Sequence, residues 1–216
     1  MICNVRKKKI TILSEAILCS LGLMIFSFFI HYKYPVRLFS YAALLMSAFI
    51  ISRNLRSFSD LKRIIHQYIS FKITLLYLTF GVGAGIVLAV IYRWHLDMIL
   101  FPESLHLFVI VAALIGSMEE LVFRGFLQEH VKTVNGPFSV FFSTLSHTGY
   151  KCCLFLSPMA AADFDIGFLA FWTFIAGILL GTIRHLSKSL LPALSAHALF
   201  DILVYAEYAG APWWVW

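Results

Sequence analysis

The apolar stretches Ile73 to Tyr92, 20 residues, and Ile166 to Ile183, 18 residues, each run the width of a bilayer without a charged residue. A helix rises about 1.5 Å per residue, so roughly 17–25 mainly apolar residues cross the hydrocarbon core. Composition agrees, because 13% of the residues are charged against about 25% in an ordinary soluble domain. Hydropathy and breakers place seven spans, at 10–30, 36–52, 73–93, 104–124, 137–153, 166–184 and 189–207. The expected fold is all-α, a polytopic transmembrane helical bundle that forms one integral membrane domain over residues 1–216. No internal repeat, low-complexity segment or soluble domain interrupts it.

Lys and Arg in alternate loops orient the bundle. With the N-terminus cytoplasmic, 13 of the 17 fall inside and Lys33, Arg37, Arg93 and Lys151 fall outside. The net charge of +6 is therefore a topology signal and requires no nucleic acid as partner; the expected surroundings are the lipid bilayer. The stretch RNLRSFSDLKRIIHQYISFK reads as a basic loop or interfacial helix beside anionic lipid. The N-terminal VRKKK precedes an apolar run without an A-x-A cleavage site, which reads as an uncleaved first span. Cys3, Cys19, Cys152 and Cys153 have neither metal-type nor disulfide-framework spacing and are expected to be free thiols. Asn135-Gly136-Pro137 separates the fourth and fifth spans, Ser189 followed by Pro192 opens the last, and the terminal PWWVW suits an interfacial aromatic anchor.

Ionisable side chains inside a membrane cost about 2.5–3.5 kcal/mol each at mid-bilayer, so each needs a reason. Within the spans they are Glu15, Glu119, Glu120, Arg124, His147, His197, Asp201 and, near the end, Glu207. Glu15 and Glu207 suit interfacial positions, and His31, His66, His95, His106, His130 and His185 fall at span ends or in loops, where they are expected to be solvated or interfacial. On a helix, residues four apart share a face. Glu120 can thus pair with Arg124, while Glu119, about 100° away, points elsewhere. The same spacing puts His197 and Asp201 together, where a carboxylate can orient an imidazole. The fifth span carries Pro137, Ser139, Ser143, Thr144, Ser146 and His147, a polar set that should face other helices. Glutamate with histidine is a pair suited to activating water.

EELVFR at 119–124, His147 and HALFD at 197–201 together resemble the three motifs of the CPBP family. These are the CAAX-protease and bacteriocin-processing (Abi) proteins, glutamic intramembrane endopeptidases. Glu119, Glu120 and Arg124 match EExxxR in full. His147 matches FxxxH, with serine at 143 and Phe142 one place early. His197 and Asp201 meet HxxxN/D, and GTIRHLSKSLLPALSAHALFD is similar to the family's approach to that motif. The motif-bearing core spans about 104–205. The resemblance implies that Glu119 and His147 activate the attacking water while His197 and Asp201 serve the oxyanion. An ionised aspartate only accepts hydrogen bonds, so Asp201 is either protonated or orients His197 and leaves donation to the imidazole, and the second is expected. Glu120 and Arg124 would hold the shape of the site.

On this reading the protein is an intramembrane peptidase that hydrolyses a membrane-associated peptide or protein, without a cofactor, in a prokaryotic cytoplasmic membrane. A zinc-dependent membrane peptidase could use the same residues, since two histidines and a glutamate are a zinc set; the absence of HExxH and the spread of the ligands over three spans weigh against it. A proton-coupled transporter and a non-catalytic immunity or scaffold protein on the same fold are further alternatives, the former disfavoured by small size and lack of repeats.

Overall fold

The computed structural model describes residues 2–55, 57–65, 70–160 and 165–210, with side chains throughout except at 2–7 and 63. The PWWVW anchor and His66 lie outside the described residues, as does the side chain of Cys3. In chain order the elements are α1 (Ile2–Phe29), α2 (Arg37–Asn54), α3 (Phe58–Ile65), α4 (Phe71–His95), α5 (Phe108–Glu120), a π-helical segment (Leu121–Leu127), α6 (Gln128–Lys132), α7 (Gly136–Leu156), α8 (Ile166–Ser187) and α9 (Leu191–Tyr205). Among the described residues there is no strand.

Each of the seven predicted spans falls on helical structure, and α3 forms within the stretch read as a basic loop or interfacial helix. Three helices are long and apolar enough to cross a membrane: Lys8–Phe29, Phe71–His95 and Ile166–Ser187. The fourth predicted span departs from regular α-helix after Glu120, where i→i+5 hydrogen bonding takes over. The breakers act as expected. Asn135 caps α7, its side chain accepting from the N–H of Phe138 at 2.9 Å, and Pro192 sits in the first turn of α9, where no N–H is needed.

What the helices bury is the reverse of a water-soluble pattern. On α2 the buried positions are Ser40, Ala43 and Ser47, while Phe39, Leu45 and Phe49 are exposed. On α4, Gly81, Gly85, Ala89 and Arg93 are buried at four-residue intervals, and Leu76, Phe80 and Val87 face out. The polar set of α7 turns inward as expected, leaving Phe141 and Leu145 outside. Lipid removes the hydrophobic gain from helix–helix contact, so close backbone approach and internal hydrogen bonds hold such helices together. The protein is an all-helical, multi-pass membrane protein.

Cα packing divides the chain into two compact units. In the first, Met1–Lys62 with Phe126–Ile178, α1 packs on α2 and α7, and α6 on α7. Ser47 of α2 donates to the carbonyl of Cys19 at 3.2 Å, Ser20 of α1 meets Ser146 of α7 at 2.9 Å, and Gly149 admits Met24. Glu15 is tied inside this unit, to Arg53 at 2.6 Å, Asn54 at 3.3 Å and His130 at 3.3 Å. His31, expected to be solvated, is buried. Cys19, Cys152 and Cys153 are free thiols.

In the second unit, Arg63–Gly125 with Leu179–Trp216, α9 packs on both α4 and α5. Gly81 and Gly85 lie against the backbone carbonyls of Pro192 and Ala196. Arg93 is fully buried and acts as a staple: its guanidinium donates to Ile99 O at 2.6 Å, Leu203 O at 2.9 Å and Glu207 Oε2 at 3.0 Å. Glu207 also accepts from the N–H of Glu103 at 3.1 Å, which fastens the loop after α4 to the end of α9. Glu207 thus has a stapling role that an interfacial position alone would not require.

The glycine stripe supplies a prediction. A Cβ at Gly85 would meet backbone, which cannot swing aside, whereas at Gly83 it would meet nothing within 4 Å. Gly85→Val is expected to lose about 1–3 kcal/mol and to lower the thermal midpoint of the nanodisc-embedded protein. Gly83→Val should leave it unchanged. Equal midpoints for the two variants would contradict the packing described for α4 and α9.

Candidate active site

Helical periodicity makes the end of α5 a polar edge. Ala112, Gly116, Glu119 and Glu120 are all buried; Gly116 lies against α9, and Glu119 and Glu120, three and four residues further on, flank its position on the helix from either side. Glu119 and Glu120 are the last two α-helical residues before the π-helical segment. A π turn is wider than an α turn and recurs at functional sites. Arg124, inside that segment, reaches back to Glu120 with its guanidinium 3.0 Å from Oε1; the two side chains are excluded from solvent, Arg124 at 1% and Glu120 at 0% exposure.

Across from them, α9 presents His197 and Asp201. His197 Nδ1 is 2.9 Å from Glu120 Oε1. Its other nitrogen, Nε2, is 3.7 Å from Asp201 Oδ2 and 3.9 Å from Glu119 Oε2. A carboxylate paired with arginine only accepts hydrogen bonds, so the proton of the 2.9 Å bond sits on Nδ1, and Nε2 is the nitrogen turned toward Glu119 and Asp201. One oxygen of Glu120 therefore serves both Arg124 and His197.

Five of the six residues singled out from the sequence, Glu119, Glu120, Arg124, His197 and Asp201, assemble in this one compact unit. The pairing of Glu120 with Arg124 follows the expected spacing. The hydrogen bond that orients His197 comes from Glu120, not from the aspartate one turn along α9, whose oxygen is too far for one. The sixth residue, His147, belongs to the other unit, buried on the polar face of α7 with its ring stacked on Tyr150 at 6.5 Å.

Gly116 was not among the residues singled out. A Cβ there would collide with the carboxylate of Asp201 and crowd the ring of His197, so the absence of a side chain is what lets α9 bring both groups down onto α5. Its signal in the sequence is position: Gly116 is three and four residues before the paired glutamates. Among the described residues, no group of three or more His, Cys, Asp or Glu side chains is placed to hold a metal ion.

Such an arrangement, an imidazole held at Nδ1 with two further carboxylates at Nε2, supplies a fixed donor and a nearby base in a largely solvent-excluded place. Residues 101–203 match the family model described as Rce1-like, type II CAAX prenyl endopeptidase. No curated protein and no solved structure matches the chain.

Proposed function

We propose that the chain, whose residues 101–203 match the Rce1-like family of type II CAAX prenyl endopeptidases, is a member of that family and an intramembrane endopeptidase acting on a membrane-associated peptide or protein. The observation that carries the reading is the gathering of both glutamates of the EExxxR motif around His197 of the third motif, at 2.9 and 3.9 Å. Chemistry needs these groups together, whereas helix packing alone would be served by apolar side chains.

In the proposed reaction Glu119 and His147 activate a water molecule. The water oxygen attacks the scissile carbonyl carbon while its proton passes to Glu119. The oxyanion accepts from His197 Nε2–H, and Glu120, fixed by Arg124, holds the ring through Nδ1. Donation from both nitrogens requires the imidazolium form, which sits among the carboxylates of Glu119, Glu120 and Asp201. Collapse of the tetrahedral intermediate breaks the C–N bond, and the proton held by Glu119 goes to the departing amine. Asp201 stands in a position where an asparagine could donate; as a carboxylate 3.7 Å from Nε2 it faces the charge of the imidazolium. The motif-bearing core, about 104–205, carries all of these groups, within a single membrane domain of seven spans with the N-terminus in the cytoplasm. The setting that suits it is a prokaryotic cytoplasmic membrane.

No metal is assigned to this reaction. Cleavage of a quenched farnesylated peptide with a CAAX terminus by the nanodisc-embedded protein is expected to survive prolonged chelation, with no stoichiometric zinc on metal analysis. Loss of activity on chelation and its return with zinc would favour the zinc peptidase instead. For the natural substrate, membrane proteomes from cells carrying the wild type and Glu119→Gln are to be compared for a protein whose terminus shifts.

A further inference from the structure

The hydroxyls of α7 fall into two groups. Ser139 donates to Gly136 O at 2.6 Å, Ser143 to Val140 O at 3.1 Å, and Ser146 to Phe142 O at 2.8 Å while also meeting Ser20. Each buried serine is satisfied by its own helix or a neighbour. Thr144 and Thr148 are as deeply buried, at 0% and 8% exposure, yet among the described residues their hydroxyls have no hydrogen-bond partner. A threonine in a helix can donate to the carbonyl four residues back, and neither does.

These two exceptions flank His147. Thr144, His147 and Thr148 have the i, i+3, i+4 spacing that places side chains on one helix face. Both threonines lie about 160° around the helix from Ser146, which faces α1. A buried hydroxyl without a partner keeps its desolvation penalty uncompensated, and apolar residues of the same shape would avoid that. The pair is thus better suited to a ligand than to the resting fold.

We propose that Thr144 and Thr148 bind the main chain of an extended substrate peptide lying along α7, with the scissile bond beside His147; this rests on the peptidase reading. Spacing supports the ligand class. Four residues of α-helix rise about 6 Å, and same-side backbone groups of an extended peptide recur at about 6.7 Å. Each hydroxyl can donate or accept, so it can pair with a peptide C=O or N–H. Binding through the main chain makes this part of recognition independent of the substrate's side chains.

The test uses the full-length protein in nanodiscs, the quenched farnesylated CAAX peptide and the variants Thr144→Val, Thr148→Val, Thr144→Ser and Thr148→Ser. Valine keeps the branched shape and removes only the hydroxyl. Each valine variant is expected to raise KM about three- to tenfold, the worth of one hydrogen bond, with kcat within about twofold; the serine variants should restore KM. Without peptide, the thermal midpoint of the valine variants should be no lower than that of the wild type, whereas Ser146→Ala should lower it. Unchanged KM in an active enzyme, or midpoints that fall as for Ser146→Ala, would overturn the assignment while leaving the peptidase reading intact. A wild type that cleaves no peptide, or a fully active Glu119→Gln, would instead remove the peptidase reading and this inference with it.

Discussion

Glu119→Gln is expected to lower kcat by about a thousandfold or more while the protein stays folded. The size follows from the role: a positioned base contributes about 10²–10⁴, and the amide of glutamine cannot take a proton from water. Shape is preserved, because the amide has the same size as the carboxylate whose Oε2 lies 3.9 Å from His197 Nε2. The thermal midpoint should therefore remain close to that of the wild type, and peptide affinity should change little, so the loss appears in kcat rather than KM. A variant with wild-type turnover would refute the role given to Glu119. A variant that is inactive because it unfolds would show a collapsed midpoint, which the isosteric change makes easy to distinguish.

Much of this was legible in the sequence where a single helix decides the outcome. Charge-free runs locate α4 and α8 because lipid imposes length and apolarity on each helix separately. The Glu120–Arg124 pair follows from spacing within one turn. What could not be read depends on partners distant along the chain. The bond between Glu120 and His197 joins residues 77 positions apart, and no local pattern distinguishes it from the expected Asp201–His197 contact. Gly116 resembles any other small residue in an apolar run until α9 is laid against it. Hydropathy carries no trace of the π-helical segment, since a change from i→i+4 to i→i+5 bonding leaves composition untouched. His31 looks like a loop histidine at the end of α1, yet tertiary packing buries it.

Removing the cation of the buried pair should be the most destabilising single change at the site. Arg124→Leu would leave the carboxylate of Glu120, at 0% exposure, without the guanidinium now 3.0 Å away. Breaking a buried pair from one side costs about 3–5 kcal/mol, because the remaining charge keeps its desolvation penalty. In a chain of this length that corresponds to a fall of roughly 6–20 °C in thermal midpoint. Adding Glu120→Gln removes the stranded charge while keeping an oxygen that can accept from His197 Nδ1. The double variant is therefore expected to regain half or more of the lost stability, a coupling that a double-mutant cycle reads directly. Simple additivity of the two losses would mean that Arg124 stabilises the protein by packing its long side chain, not by neutralising Glu120. Recovery in the double variant would instead tie the arginine of EExxxR to the glutamate that orients His197, making it a residue whose charge acts on the site through another side chain.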